Sequence, residues 1–201
     1  MPMKKIEDRL PPVNPQEIHL PCIVLADSST STAGKANEEL NKALRLIVEV
    51  LNENALAEGC CEVSIISFAS EVKIEMGFRA ASYYEVPHIS VSTIGNTAMN
   101  EAINTALDVL EVRKQEYREK GVSYYRPWLF VLTDGYSTDT DLEASTRSRL
   151  QEYISRKKVN YIPICIGDAN IEHLKSYYPD TVQNKFVLTD SESFRDLFVW
   201  L

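Results

Sequence analysis

Short, nearly continuous apolar runs alternate along the chain with longer segments in which apolar residues recur every three or four positions. The continuous runs are typical of strands buried on both faces, and the periodic segments are typical of amphipathic helices. The pattern predicts strands at 18–26, 62–68, 72–78, 128–133, 159–166 and 185–188. It predicts helices at 35–54, 98–120, 141–156, 170–178 and 191–201, the second of them ending at Gly121 as a C-cap.

The order of these elements predicts the fold. Strands that alternate with helices indicate βαβ units and a parallel sheet covered on both faces. The link at 69–71 is too short for a crossover, so the two strands that it joins should be antiparallel. We therefore predict a doubly wound α/β domain over residues 18–201, with a mostly parallel six-stranded sheet, one antiparallel strand and helices on both faces. Residues 1–17 carry Pro11, Pro12 and Pro15 and show no periodicity, which predicts a leader segment on the surface.

Composition and charge limit the kinds of molecule that the protein could bind and the cell compartment in which it could work. The 201 residues, 44% of them hydrophobic, suit one globular domain. The net charge of -8 argues against nucleic acid or an anionic membrane as a partner. There is no signal-peptide pattern at the start and no apolar run of the roughly 18 residues that a membrane span needs. The four cysteines lack metal-binding spacing. Cys60 and Cys61 are neighbours and poorly placed to bridge each other, and Cys22 and Cys165 lie in apolar runs, so we expect reduced thiols in a cytoplasmic protein.

Five oxygen-bearing residues stand where a predicted strand ends or a predicted helix begins: Asp27, Ser29, Ser31, Thr97 and Asp134. The carboxyl ends of parallel strands share one edge of a sheet, and sites form there where the strand order reverses. Two carboxylates at that edge repel each other unless a cation lies between them. Carboxylates and hydroxyls, without His or Cys, are suitable ligands for a hard cation such as Mg2+. We expect the hydroxyls to bind the ion, and one coordination position to remain for an anionic group from outside.

Other interpretations of these residues stay open. Each is also a common turn or cap residue, and Thr97 could be the N-cap of the long helix. A metal-dependent hydrolase of phosphoesters could use the same cation to activate water, although no third acid or His is placed as a general base. A domain with an empty metal site is a third possibility. The lone histidines, which share no metal or catalytic spacing, are typical of surface or core positions: His19, His88 and His173.

The order of elements and three motifs resemble a von Willebrand factor type A domain over residues 18–201. The motifs are Asp27-Ser28-Ser29-Thr30-Ser31, Gly95-Asn96-Thr97 and Thr133-Asp134-Gly135. In that family the pattern Asp-x-Ser-x-Ser, Thr, Asp forms the metal-ion-dependent adhesion site (MIDAS). The segments 110–114, 124–128 and 132–135 are similar to a bacterial cytoplasmic branch associated with tellurium-resistance and related stress loci.

The resemblance implies a function and its residues. Mg2+, or alternatively Mn2+ or Ca2+, would be held by Asp27, Ser29, Ser31, Thr97 and Asp134. The protein would not be an enzyme but an interaction module, and a protein partner would present an Asp or Glu to the metal. The sequence departs from the branch at two loops. Thr30 and Thr32 replace Gly and Met, so Thr30 could change the loop geometry, and Ala98-Met99-Asn100 replaces Pro-Met-Gly.

Three further expectations concern the rest of the surface. The alternating charges of 111–120 predict a solvated extension of the long helix. Tyr124, Tyr125 and Trp128 could form an exposed aromatic patch, but we favour a core strand that begins at Trp128, with the tyrosines packed over the long helix. Asp139 and Asp141 could line the rim of the metal site or serve as turn and cap residues.

Overall fold

A five-stranded sheet forms the centre of the computed structural model, which describes residues 18–53, 61–81, 85–182 and 187–188. The strand order is β3-β2-β1-β4-β5. β1 pairs in parallel with β2 and β4, β4 pairs in parallel with β5, and β3 runs antiparallel to β2. The strands are β1 (Leu20–Asp27), β2 (Cys61–Phe68), β3 (Val72–Ala80), β4 (Trp128–Thr133) and β5 (Asn160–Cys165). The predicted doubly wound, mostly parallel sheet with one antiparallel strand is confirmed.

The helices lie close to their predicted positions. They are α1 (Lys35–Glu53), α2 (Met99–Glu119), α3 (Thr140–Ser155) and α4 (Ile171–Lys175), with a short 3-10 turn at Thr30–Thr32. Gly121 follows α2 with a φ of +67°, the left-handed conformation of a C-cap glycine, as predicted. α4 is shorter than the predicted helix, but the chain goes on in turns to Tyr178, because the N–H groups of Tyr177 and Tyr178 donate to the carbonyls three residues earlier, at 3.4 and 3.1 Å.

Both faces of the sheet are covered by helices. Val24 and Ala26 of β1 belong to one core cluster, which includes the apolar stripe of α1. Ile23 and Leu25 belong to the other, with α2 and residues of α3 and α4. Successive residues of a strand point to opposite faces, so a strand buried on both sides must be apolar at nearly every position. This explains the continuous apolar run that predicts β1.

The predicted sixth strand lies only partly within the described residues. Leu188 forms an isolated parallel bridge with Ile164 of β5. Its carbonyl accepts a backbone hydrogen bond from Cys165 at 2.7 Å. Residues 183–186 lie outside the description, as do the predicted leader at 1–17 and the predicted helix at 191–201. Five of the six predicted strands are therefore confirmed. For the sixth, the described residues show only that Leu188 pairs with β5.

The solvated extension predicted for residues 111–120 is wrong at its centre. Arg113 and Tyr117 are fully buried, and Arg113 donates to both carboxylate oxygens of Glu62, at 2.5 and 2.8 Å. The Tyr117 hydroxyl also donates to Glu62, at 2.5 Å, and the His19 ring lies 3.3 Å from the same carboxylate. The charge pattern hid this cluster because the partner of Arg113 lies 51 positions earlier in the chain.

The aromatic residues before β4 divide between core and surface. Trp128 is buried and packs edge-on against Phe130, and Tyr124 packs against Tyr117 of α2, as predicted. Tyr125 is 46% exposed, so the prediction that it packs over the long helix is wrong. Cys22, Cys61 and Cys165 are buried, and the Sγ atoms of Cys22 and Cys61 lie 3.7 Å apart. Among the described residues, no helix combines the length and apolar character needed to cross a bilayer.

Candidate metal centre

The topology brings two aspartates to the same edge of the sheet. Asp27 is the last residue of β1, and Asp134 directly follows β4, the parallel neighbour of β1. From β1 the chain goes on to β2 and β3 on one side, whereas β4 and β5 lie on the other. The strand order therefore reverses between β1 and β4, which is where open α/β sheets form their binding crevice.

Asp27 is completely buried, and its carboxylate accepts hydrogen bonds from uncharged donors. Its Oδ1 accepts a hydrogen bond from the backbone N–H of Ser29 at 2.9 Å, and its Oδ2 accepts one from the Thr133 hydroxyl at 2.6 Å. Burial raises the pKa of Asp27 from 3.8 to about 6, the nearby charge of Asp134 acts in the same direction, and the hydrogen bonds act against it. The site thus concentrates negative charge without a positive side chain among these donors.

The loop after β1 places two hydroxyls side by side. The Oγ atoms of Ser29 and Ser31 lie 2.9 Å apart. Thr32 stabilises the loop, because its buried hydroxyl donates to the backbone carbonyls of Ser29 at 2.8 Å and Asp27 at 3.2 Å. Ser29 is buried and Ser31 is exposed, so the pair faces from the crevice towards solvent.

The backbone conformation at Thr30 is one that a residue with a side chain adopts without strain. Within the described residues, Lys157 is the only non-glycine residue with a positive φ, so the backbone at Thr30 does not require glycine. The Thr30 hydroxyl lies 3.4 Å from the position that a Cβ on Gly95 would take. This distance is an ordinary van der Waals contact. The effect of Thr30 on metal affinity stays a prediction.

Backbone hydrogen bonds join the three loops of the site. The N–H of Ser92 donates to the Ser28 carbonyl at 2.7 Å, which ties the segment before Thr97 to the loop after β1. The N–H of Thr138 donates to the Thr97 carbonyl at 2.9 Å, and the N–H of Thr97 donates to the Thr138 hydroxyl at 2.8 Å. These contacts bring Thr97, which is buried, to the loop that begins at Asp134.

Thr97 is not the N-cap of the long helix. α2 begins at Met99, and Ala98 occupies the cap position without a side-chain hydrogen bond. Asp139 supplies the missing acceptor, since its carboxylate accepts from the backbone N–H of Asn100 at 3.3 Å and of Glu101 at 2.8 Å. Capping therefore does not explain the hydroxyl of Thr97. Asp139, one of the two possible rim residues, caps α2 from a distant segment, and Asp141 lies in the first turn of α3.

Two residues that support the site were not recognised from the sequence. Asn100 is fully buried, and its side chain donates to Ser137 at 3.1 Å and to Asp139 at 3.0 Å and accepts from the Tyr177 hydroxyl at 2.7 Å. It thus ties the start of α2 to the segment after α4. The Nδ1 of His173 lies 2.6 Å from the carbonyl oxygen of Gly135, next to Asp134. A backbone partner leaves no sequence signal, so spacing could not reveal this contact.

The chemistry of these residues fits a hard divalent cation. The predicted donors are two carboxylates and three hydroxyls, all oxygen ligands. Neighbouring ligands of an octahedral Mg2+ are about 2.9 Å apart at metal–oxygen distances of about 2.0–2.1 Å. The Ser29 and Ser31 hydroxyls have that spacing, held by the hydrogen bond between them. Within the described ranges, no group of three or more His, Cys, Asp or Glu residues could hold a metal ion.

The fold and this site define a class: a doubly wound α/β domain with an Asp-x-Ser-x-Ser loop at the point where the strand order reverses. The family model of the von Willebrand factor type A domain matches residues 22–199. This match covers most of the chain, and the protein belongs to that family. No curated protein sequence gives a significant match.

Three solved structures illustrate the shared fold. The chain is 16% identical to the manganese-loaded TRAP protein of Plasmodium vivax, with a TM-score of 0.60 over 90% of this chain and 72% of that one. An aerotolerance-related membrane protein of Bacteroides fragilis is 16% identical, with a TM-score of 0.58 over 90% of this chain and 97% of that one. Proximal thread matrix protein 1 of the mussel byssus is 17% identical, with a TM-score of 0.57 over 92% of this chain. The chain spans about half (47%) of the mussel protein. At these identities the likeness is one of fold.

Proposed function

We propose that the protein is a metal-ion-dependent protein-interaction module. Asp27, Ser29, Ser31, Thr97 and Asp134 hold a divalent cation, with Mg2+ as the first choice and Mn2+ or Ca2+ as alternatives. The partner is a protein that presents an Asp or Glu carboxylate to the open coordination position. The observation that carries the proposal is the buried Asp27 carboxylate, which lies close enough to Asp134 to be affected by its charge and is hydrogen-bonded to neutral groups.

The charge of the ligands supports binding by an external anion. Hydroxyl ligands carry no charge, so a cation held largely through them keeps a strong attraction for a further carboxylate. The manganese-loaded structure of the Plasmodium vivax protein shows that a relative with this fold takes a divalent cation. The cation, when bound, would supply the positive charge, and the chain's own residues would position it and leave one side open to the partner.

Hydrolysis at the same site has less support. A metal-dependent hydrolase needs a group that removes a proton from water. The segments that frame the site, 28–34, 89–98 and 135–138, contain hydroxyl, amide and apolar side chains but no acid or His. The ring of His173, which is close by, contacts the Gly135 carbonyl through Nδ1 and Glu143 through Nε2. We therefore propose a non-enzymatic role.

The sequence resemblance supports a setting for this module. Segments 110–114, 124–128 and 132–135 resemble the bacterial cytoplasmic branch, so we place the protein in the cytoplasm, in association with tellurium resistance or a related stress response. Residues 18–201 would form the interaction domain and residues 1–17 a leader. The net charge of -8 supports a protein partner over nucleic acid or a membrane.

The experiment is affinity capture from a bacterial lysate with the immobilised protein, in Mg2+ and in excess EDTA. Thr97→Val removes the hydroxyl and keeps the shape of the side chain, and Thr93→Val makes the same change at an exposed position of the same loop. We expect capture of the same partner by the wild type and by Thr93→Val in Mg2+. We expect its loss in EDTA and with Thr97→Val. A partner that is held equally well in EDTA would contradict the proposal.

A further inference from the structure

The candidate metal centre is framed by three uncharged segments. They are 28–34, 89–98 and 135–138, and we call them together the site rim. No Asp, Glu, Lys, Arg or His occurs in any of them, although 25% of the chain is charged. Two large apolar side chains of the rim are exposed instead, Ile94 by 57% and Tyr136 by 55%. A single exposed apolar residue needs no explanation, but these two are the most exposed large apolar side chains of the described residues, and both lie on the rim.

Both exposed residues are fixed close to the proposed ligands. Ile94 precedes Thr97 by three positions, on the segment that is bonded to the loop after β1 through Ser92 and Ser28. Tyr136 follows Asp134 by two positions, and its backbone N–H donates to the Asp134 carboxylate at 3.0 Å. The two residues therefore lie on the segments that carry Thr97 and Asp134, within three positions of these proposed ligands.

The lack of charge in the rim argues against a strongly acidic partner. A second or third carboxylate of the partner would find no basic side chain in the rim to pair with. An apolar side chain, in contrast, would be removed from water by contact with Ile94 or Tyr136.

We infer that this surface recognises a partner segment with a single carboxylate flanked by apolar side chains, and that Ile94 and Tyr136 select those flanking side chains. The inference rests on the proposed function, since the metal holds the carboxylate. It adds the specificity: the cation binds the carboxylate of the partner, and the rim contacts the side chains on either side of it.

Three capped pentapeptides test this specificity with the full chain in saturating Mn2+. The first has the sequence Ser-Leu-Asp-Leu-Ser, the second Ser-Ser-Asp-Ser-Ser and the third Ser-Asp-Asp-Asp-Ser. Calorimetry or NMR titration measures the affinity of each. We expect the leucine peptide to bind about tenfold more tightly than the serine peptide, the usual scale for contacts of this size. We expect the triple-aspartate peptide to bind no more tightly than the serine peptide.

Surface variants assign the preference to the rim. Ile94→Ser and Tyr136→Ser should each reduce the preference for the leucine peptide at least threefold, without a change in affinity for Mn2+ or for the serine peptide. Ile18→Ser and Tyr125→Ser are matched controls, because these residues are 48% and 46% exposed at the opposite edge of the sheet. The controls should keep the full preference.

The outcomes separate this inference from the proposed function. Equal affinity for the leucine and serine peptides, or tightest binding of the triple-aspartate peptide, would overturn the inference and leave metal-dependent binding intact. The same holds if the control variants lose the preference as much as the rim variants do. If no peptide binds in Mn2+ more tightly than in EDTA, the proposed function fails, and the inference fails with it.

Discussion

The hydroxyl of Thr133 donates a hydrogen bond of 2.6 Å to Oδ2 of Asp27, although the two residues are 106 positions apart in the chain. Each is the last residue of its strand, so the bond joins the carboxyl ends of β1 and β4 at the place where the strand order reverses. The Thr133 oxygen also accepts from the backbone N–H of Gly135 at 3.0 Å. One hydroxyl thus connects the first aspartate of the site to the turn that presents the second.

Asp27→Asn should stabilise the metal-free protein while it removes metal binding. The carboxylate of Asp27 is buried, and its pKa is raised to about 6, so its negative charge opposes folding at neutral pH. A shift of this size corresponds to roughly 1–3 kcal/mol of unfolding free energy. We expect a higher melting temperature than the wild type in EDTA at pH 8, and no further increase when Mg2+ is added.

The difference in stability between the wild type and Asp27→Asn should grow as the pH rises. The folded protein binds the Asp27 proton more tightly than the unfolded chain, with a pKa of about 6 against 3.8. The wild type therefore loses stability as the pH rises from about 4 to about 6, and Asn at this position does not. The two melting curves in EDTA should converge near pH 4 and separate above pH 6. A gap that widens on acidification would contradict this assignment.

Gly135→Ala should destabilise the protein more than Gly121→Ala. Both glycines have a positive φ, +77° and +67°, so both substitutions carry the cost of about 1–2 kcal/mol for a left-handed side chain. A Cβ at Gly135 would also lie 2.9 Å from the carbonyl oxygen of Asn170, whereas a Cβ at Gly121 would meet nothing within 4 Å. Chemical denaturation of the two variants isolates the clash. We expect Gly135→Ala, but not Gly121→Ala, to weaken Mg2+ binding as well. Equal losses of stability in the two variants would show that the turn at Gly135 is not packed against Asn170.

Arg113→Met should lower the unfolding free energy by about 3–5 kcal/mol, because it leaves the buried Glu62 carboxylate without its charged partner. Arg156→Met is the control on the surface. Arg156 pairs with Glu152, their side chains are 65% and 51% exposed, and such pairs contribute at most about 1 kcal/mol. Urea denaturation measures both values. Because Glu62 lies at the opposite end of β2 from the metal centre, Mg2+ affinity of the folded variants should not change.

The fold could be predicted where the information is local. Continuous apolar runs mark β1 and β4 because the helices cover both faces of the sheet, and the short link at 69–71 fixes the antiparallel pair. The candidate ligands could be located because each stands at the end of a strand or just before a helix. The supporting contacts could not, since Asn100 and Tyr177 are 77 positions apart and His173 contacts a backbone carbonyl. The burial of Arg113 could not be predicted, because the alternating charges of residues 111–120 are also typical of a solvated helix. Only the position of Glu62 in the fold shows that Arg113 is buried.

The central claim is that the hydroxyls of Ser29, Ser31 and Thr97, with the carboxylates of Asp27 and Asp134, hold one divalent cation. Calorimetric titration of the EDTA-treated protein with Mg2+ and Mn2+ tests it most directly. We predict one cation bound per chain by the wild type and by Thr93→Val, and none by Thr97→Val or Asp134→Asn. Binding that is unchanged in Thr97→Val and Asp134→Asn, or no binding by the folded wild type at millimolar metal, would contradict the account.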